Sequence, residues 1–168
     1  MNPKLDALFN EPEKRYLNAE ELSVLSQYVS SIPERMKVYR LLRDQEVALM
    51  QPVADALQQQ LPEMAEAALE RSVRNGLLIL RYAAMAMLMD DEQFVDHRLQ
   101  GWLPEIAKAY NTQAVDQKLF EILSQRLAQT LPPQQMSLLK PCLSKAQALL
   151  SSDRETVSSI SAPLVGIL

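Results

Sequence analysis

Apolar residues recur along most of this chain at intervals of three and four, the spacing that lays one stripe along a helix. The clearest run is residues 63–91, EMAEAALERSVRNGLLILRYAAMAMLMDD. Ala, Leu, Met, Glu and Arg dominate it, and all are good helix formers. Leu69, Val73, Leu77, Leu80, Ala84 and Leu88 fall on one face, which is expected to be buried. Pro62 stands where a first helical residue would be, and Asp90 with Asp91 ends the apolar run. From Gly76 onward the segment is apolar on almost every side, which places it inside a protein or a membrane. The apolar run 76–89 is shorter than the roughly 20 residues that cross a bilayer, and Arg81 interrupts it. It reads as the central helix of a helical domain.

The flanking segments supply shorter helices. Asn2 and Pro3 open one whose stripe is Leu5, Leu8 and Phe9, and Pro12 ends it. So short a helix must dock on something to persist in water. Asn18 then caps a second helix, with Glu21 at the capping-box position and Leu17 and Leu22 placed as a hydrophobic staple. It is expected to run to about residue 31 with Leu22, Leu25 and Val29 inward. Ser31-Ile32-Pro33-Glu34 reads as a second capping box, starting a helix that carries Met36, Tyr39 and Leu42. Pro52 restarts or kinks the path, and a short helix leads to Pro62. Beyond the central helix, 94–101, 102–110, 115–131 and 134–150 read as helices. Leu119, Ile122, Leu123 and Leu127 face inward, Pro132 and Pro133 form a break, and Pro141 is a kink. No strand pattern appears. The expected fold is all-α, one domain over 1–150 whose first 32 residues are docking helices, followed by a Ser-rich mobile tail over 151–168.

Composition narrows the function. Aromatics make up only 5% of the chain, so the core must come from Leu, Ala, Val, Ile and Met. Three glycines argue against a turn-rich β fold and against a phosphate-cradling loop. A net charge of −4 with no dense basic stretch argues against nucleic acid. The single Cys142 excludes an internal disulfide and a cysteine zinc site. No signal peptide or membrane span is visible, so a reducing, cytoplasmic location is expected.

Candidate chemistry is sparse. His97, the one histidine, sits between Asp96 and Arg98 on a polar helix and reads as a surface residue. Cys142 lies in an apolar helix and reads as a small core residue. No G-x-S-x-G elbow frames a serine. Asp90 with Asp91, and Glu20 with Glu21, read as solvated helix ends. Met85, Met87 and Met89 read as core filling, since alternate helix positions do not converge on one metal. Arg74 and Arg81 share one side of the central helix, and each must find an acid, a ligand or water. Nothing forms a catalytic constellation, and no enzymatic activity is expected.

Residues 72–82, S-V-R-N-G-L-L-I-L-R-Y, resemble the heart of the phycobiliproteins, the light-harvesting subunits of cyanobacterial phycobilisomes. The central helix of that family carries C-x-R-D, then L-R-Y or L-R-M. Arg74 matches the first arginine, Leu80-Arg81-Tyr82 the second motif, and Asp91 the Gly-Asp at the helix end. Leu99-Gln100-Gly101 resembles the L-x-G that follows, and Arg15-Tyr16-Leu17-Asn18 the R-[FM]-L-S that opens the second helix. The resemblance spans about residues 3–150 in the same helix order. It implies a globin-like fold with two extra N-terminal helices that dimerise subunits. It further implies that Arg81, with Tyr82 beside it, meets an acid on a partner's N-terminal segment, and the matching acid is Glu11. Leu5, Leu8 and Phe9 would supply the apolar half of that interface.

The departures from the family pattern set the functional expectation. The family joins a linear tetrapyrrole to the cysteine of C-x-R-D, and here that position is Ser72. A hydroxyl is a far poorer nucleophile than a thiol near neutral pH. The family aspartate that holds the pyrrole nitrogens is Asn75, an amide without the charge. The loop before the motif is shortened to residues 63–71. Ser72, Arg74 and Asn75 are thus expected to be a vestigial bilin pocket, with no covalent bilin and no other cofactor. The expected role is non-enzymatic: protein contacts in phycobilisome assembly, turnover or related photosynthetic regulation, as a homodimer or with a phycobiliprotein-like subunit. Phycobilisome components would be partners, at the cytoplasmic face of the thylakoid. The alternative is a light-harvesting or bilin-sensing subunit that holds a tetrapyrrole non-covalently or on Cys142, which falls near the second bilin cysteine of some β-type subunits. A haem-binding globin-like sensor would need an axial ligand, and His97 in its polar setting is a poor one.

Overall fold

The computed structural model describes residues 2–10 and 15–151. Among these are eight helices and no strand: α1 Pro3–Phe9, α2 Ala19–Asp44, α3 Glu46–Gln60, α4 Glu66–Met89, α5 Gln93–Leu99, α6 Leu103–Ala109, α7 Gln113–Thr130 and α8 Pro133–Ser151. The expected tail beyond 151 lies outside the described residues. No described helix is long and apolar enough to cross a membrane.

The core is wrapped around α4, which packs against α2, α3, α5, α7 and α8. Its fully buried residues are Ser72, Asn75, Gly76, Ile79, Leu80, Ala83, Ala84, Ala86 and Met87. Leu69, Val73, Leu77 and Leu88, expected on the buried face, are only half-buried. The innermost stripe is rotated toward the small residues because these let neighbouring helices approach. Gly76 shows why. A Cβ there would overlap Leu119 Cδ2 of α7 and lie 3.5 Å from Met50 Cε of α3. The α4 axis also begins later than Pro62. Residues 62–64 form a turn after α3, closed by Met64 N–H donating to Leu61 O at 3.1 Å, and Ala65 precedes the first helical residue.

The capping box at Asn18 is present. Asn18 Oδ1 accepts from Glu21 N–H at 3.0 Å, and Glu21 Oε2 accepts from Asn18 N–H at 2.7 Å. Arg15 grips the same carboxylate at 2.8 and 2.6 Å. The arginine first, and then the Asn18 backbone, hold the Glu21 carboxyl down at about 2. The second box does not form. Ser31 Oγ donates back to Tyr28 O at 2.8 Å instead of receiving Glu34 N–H, and it accepts from Arg35 Nε at 3.0 Å. The helix therefore runs through Pro33 as one α2. Proline removes a bond to the carbonyl of Val29, and that stretch is exposed, so water can take the carbonyl. Pro52 and Pro141 likewise lie inside continuous helices, and the break falls at Gln45 instead.

From Ala19 to Glu34 no residue of α2 is fully buried. Leu22 is 52% and Val29 55% exposed, contrary to the inward placement expected from their spacing. Periodicity finds an apolar face but not what covers it, and no part of the described core reaches this one. In α1 the expected stripe divides: Leu5 is buried, Leu8 half-buried and Phe9 exposed.

The end of α4 is a junction. Asp90 takes a left-handed conformation, φ 53°, and caps the helix. Its carboxylate accepts from Arg35 Nη2 of α2 and from Asn2 Nδ2, the latter at 2.5 Å. Arg35 Nη1 also donates to Met87 O, a last-turn carbonyl that accepts the Asp90 backbone N–H as well, at 3.2 Å. Asp90 is therefore an ion-pairing residue, not the solvated helix end expected from the sequence.

Replacing Gly76 by Ala sets two effects against each other. Helix propensity gains about 1 kcal/mol, while overpacking against Leu119 costs about 1–3 kcal/mol. The expected outcome in urea unfolding is a net loss of up to about 2 kcal/mol in the wild type, and a gain when Leu119→Ala has already cleared the space.

Candidate functional site

Of the three residues expected to mark the old pocket, the fold brings two together. Ser72 and Asn75 face inward on α4, and among the described residues Ser72 Oγ and Asn75 Nδ2 have no hydrogen-bond partner. Arg74 turns away. It is exposed and pairs with Glu70 one turn earlier at 3.2 Å. Its side chain lines a groove of about 380 Å³ with Ala54, Gln58, Leu69 and Val73, between α3 and α4. A reagent arriving from solvent would find the guanidinium and not the hydroxyl.

Arg81 lies two turns further along the same side. It forks onto Glu46 at the start of α3, with Nε to Oε1 at 2.6 Å and Nη2 to Oε2 at 2.7 Å. Each partner moves the other: the guanidinium lowers the Glu46 pKa and the carboxylate raises that of Arg81. The pair closes one edge of a cavity of about 290 Å³, whose apolar wall is Tyr39, Leu42, Leu80, Ala84 and Met85. Glu11, the acid expected to meet Arg81 from a partner, lies outside the described residues. The Nε–Nη2 edge of the guanidinium is occupied in the single chain, which leaves the Nη1 edge for a second carboxylate. Tyr82 is half-buried and packs edge-on against Phe94, with ring centroids 6.3 Å apart at 63°.

The remaining candidates separate cleanly. His97 is exposed on α5. Met87 is buried while Met85 and Met89 are half-buried. Among the described residues no group of three His, Cys, Asp or Glu side chains could hold a metal ion. Cys142 is buried in α8, and burial, followed by the nearby Glu92 carboxylate, pushes its thiol up to about 12.

Three residues that the sequence did not single out prove to matter. Arg35 is buried and joins α2 to the end of α4. Its signal was an arginine among Met36, Val38 and Tyr39, the same pattern that drew attention to Arg81. Glu46 carries no such signal, because its partner is 35 positions away. Asp116 is buried in the first turn of α7, where it accepts from the Thr112 hydroxyl at 2.8 Å. An acid in register with Leu119 and Leu123 was the readable sign.

A thiol raised to about 12 carries almost no thiolate at neutral pH. An aromatic disulfide reagent at pH 7.5 is therefore expected to label Cys142 in the folded protein on the order of a thousandfold more slowly than a free cysteine. One equivalent should react promptly after denaturation. Fast labelling of the folded chain would show the thiol to be accessible.

The geometry has a counterpart among known proteins. No individual curated protein matches the chain. The family model described as phycobilisome protein does match, over residues 10–150, which takes in α2 through α7 and all but the last residue of α8. The chain belongs to the phycobilisome protein family and has its all-α, globin-like fold.

Proposed function

We propose that this chain is a phycobilisome-family protein without covalent bilin, acting through protein contacts in phycobilisome assembly, turnover or related regulation. The observation that carries the reading is the uncovered apolar side of the N-terminal helices. Leu22 and Val29 of α2, with Phe9 of α1 and Tyr16 just before α2, stand in solvent in the single chain. Apolar side chains set apart in this way mark a surface that a partner covers. The natural partner is a second copy or a related subunit. The interface would be completed by Leu8 and by Glu11 of one chain reaching Arg81 of the other, whereas Leu5, expected to share in it, is already buried in the single chain. Such work is non-enzymatic and would take place in the cytoplasm, at the thylakoid surface.

Two features support the absence of covalent pigment. Ser72 offers a hydroxyl where the family resemblance calls for a thiolate, and that hydroxyl is fully enclosed. Cys142, the other attachment point, is enclosed with its thiol protonated. Co-expressed with bilin-producing enzymes and lyases, the chain should therefore stay colourless. A zinc-fluorescent band in a denaturing gel would overturn this. Visible absorbance that disappears on denaturation would instead indicate a tetrapyrrole held without a bond.

The contact surface is tested by sedimentation. Fully burying a leucine or valine is worth about 1.5–3 kcal/mol, so Leu22→Glu or Val29→Glu should weaken self-association at least tenfold. Arg81 is more than half exposed and already paired, so Glu11→Arg should cost about 1 kcal/mol or less, recovered in part by adding Arg81→Glu. A monomeric wild type would restrict the reading to association with a different subunit. Unchanged dimers in Leu22→Glu and Val29→Glu would remove the surface altogether.

A further inference from the structure

Three enclosed polar side chains, two on α4 and one on α7, lack a full set of partners among the described residues. Ser72 is 0%, Asn75 6% and Asp116 2% exposed. Among the described residues Ser72 Oγ, Asn75 Nδ2 and Asp116 Oδ1 have no hydrogen-bond partner, although the second Asp116 oxygen receives the Thr112 hydroxyl. Enclosed polar atoms in folded proteins are almost always matched, by protein or by an ordered water.

Two contacts bracket the three. Arg71 Cζ lies over the Tyr110 ring, 3.4 Å from its centroid, just before α7 begins. Gly76 touches Leu119 further along both helices. Between these points α4 presents Ser72 and Asn75, on one stripe with Gly76, while α7 presents Asp116, on one stripe with Leu119 and Leu123. The two stripes meet at Gly76 and Leu119, and Ser72 lies one turn before Gly76 as Asp116 lies one turn before Leu119. The chemistry there is complementary. The Asn75 amide and Ser72 hydroxyl donate, and Asp116 Oδ1 accepts.

We propose that Ser72, Asn75 and Asp116 line one buried hydration site that holds a single water, and that the Asp116 carboxylate is what requires an amide at position 75. The water accepts from the Asn75 amide and donates to Asp116 Oδ1, and the Ser72 hydroxyl completes its shell. A carboxylate at position 75 would set two negative charges around one enclosed water, where neither is well solvated. The site does not depend on whether the chain carries pigment. It does mean that residue 75 cannot revert to an acid without a change at 116.

The test is equilibrium unfolding of the full chain at pH 7 for Asn75→Asp, Asp116→Asn and the exchange variant carrying both. Asn75→Asp alone should raise the unfolding constant at least tenfold. Adding Asp116→Asn should restore most of the loss, giving a coupling of about tenfold or more. Additive effects would overturn the shared site. If Asn75→Asp does not accumulate as folded protein, the exchange variant decides: cooperative unfolding near the wild type supports the proposal, and failure to fold overturns it. For the water itself, the Asn75 side-chain amide should show cross-relaxation to a long-lived water, lost in Asp116→Ala. An Asn75 amide with no such signal in the wild type would remove the hydration site.

Discussion

The close approach of α4 to α7 at Gly76 governs the arrangement of the whole bundle. A single methyl group at that point would collide with Leu119, so the distance between α4 and α7 is set where α4 has no side chain. Packing at organic-crystal density leaves no slack to absorb a shift there. Ala83, Ala84 and Ala86 continue the same policy of small residues along α4, and Leu123 and Leu127 of α7 are fully enclosed. The stripe of α4 that lies deepest is therefore selected by size before hydrophobicity. This is how a serine and an asparagine come to occupy it.

The N-terminal third follows different rules. From Ala19 to Glu34, α2 is held by local chemistry: a capping box, an arginine on the capping glutamate, and a serine that bonds backward near Pro33. Only from Arg35 onward does α2 enter the core, with Val38 and Leu42 buried. One helix thus serves as a wall of the domain at one end and a projecting apolar surface at the other.

What could be read from the sequence and what could not divides along the range of the interaction. Asn18, Glu21 and Pro132 act over a few residues, and the helix start and the break they predicted are present. Ser31 and Pro33 carried an equally local signal that failed, because Ser31 had a second choice of hydrogen bond and Arg35 behind it fixed that choice. Apolar spacing identified α4 as the axis but placed its buried face too far toward Leu69 and Val73, since periodicity weighs size and hydrophobicity alike and cannot see a neighbour's approach. Of the expected pocket, Ser72 and Asn75 do share a place and Arg74 does not, a difference that follows from helical phase. The partners of Arg81 and Asp90 were beyond reach, because Glu46, Arg35 and Asn2 are far away in the chain.

That last separation bears on how the molecule assembles in time. Asn2 and Asp90 are 88 positions apart, so their bond closes one of the longest loops in the fold. Loop closure of this kind costs chain entropy that only an already organised structure can offset. The helix pairs near in sequence, such as α7 with α8, can form first, leaving the N-terminus to be fastened to the end of α4 late. Contacts made after the rate-limiting step slow unfolding without speeding folding. On that ordering the Asn2–Asp90 bond governs how long the fold lasts more than how quickly it forms.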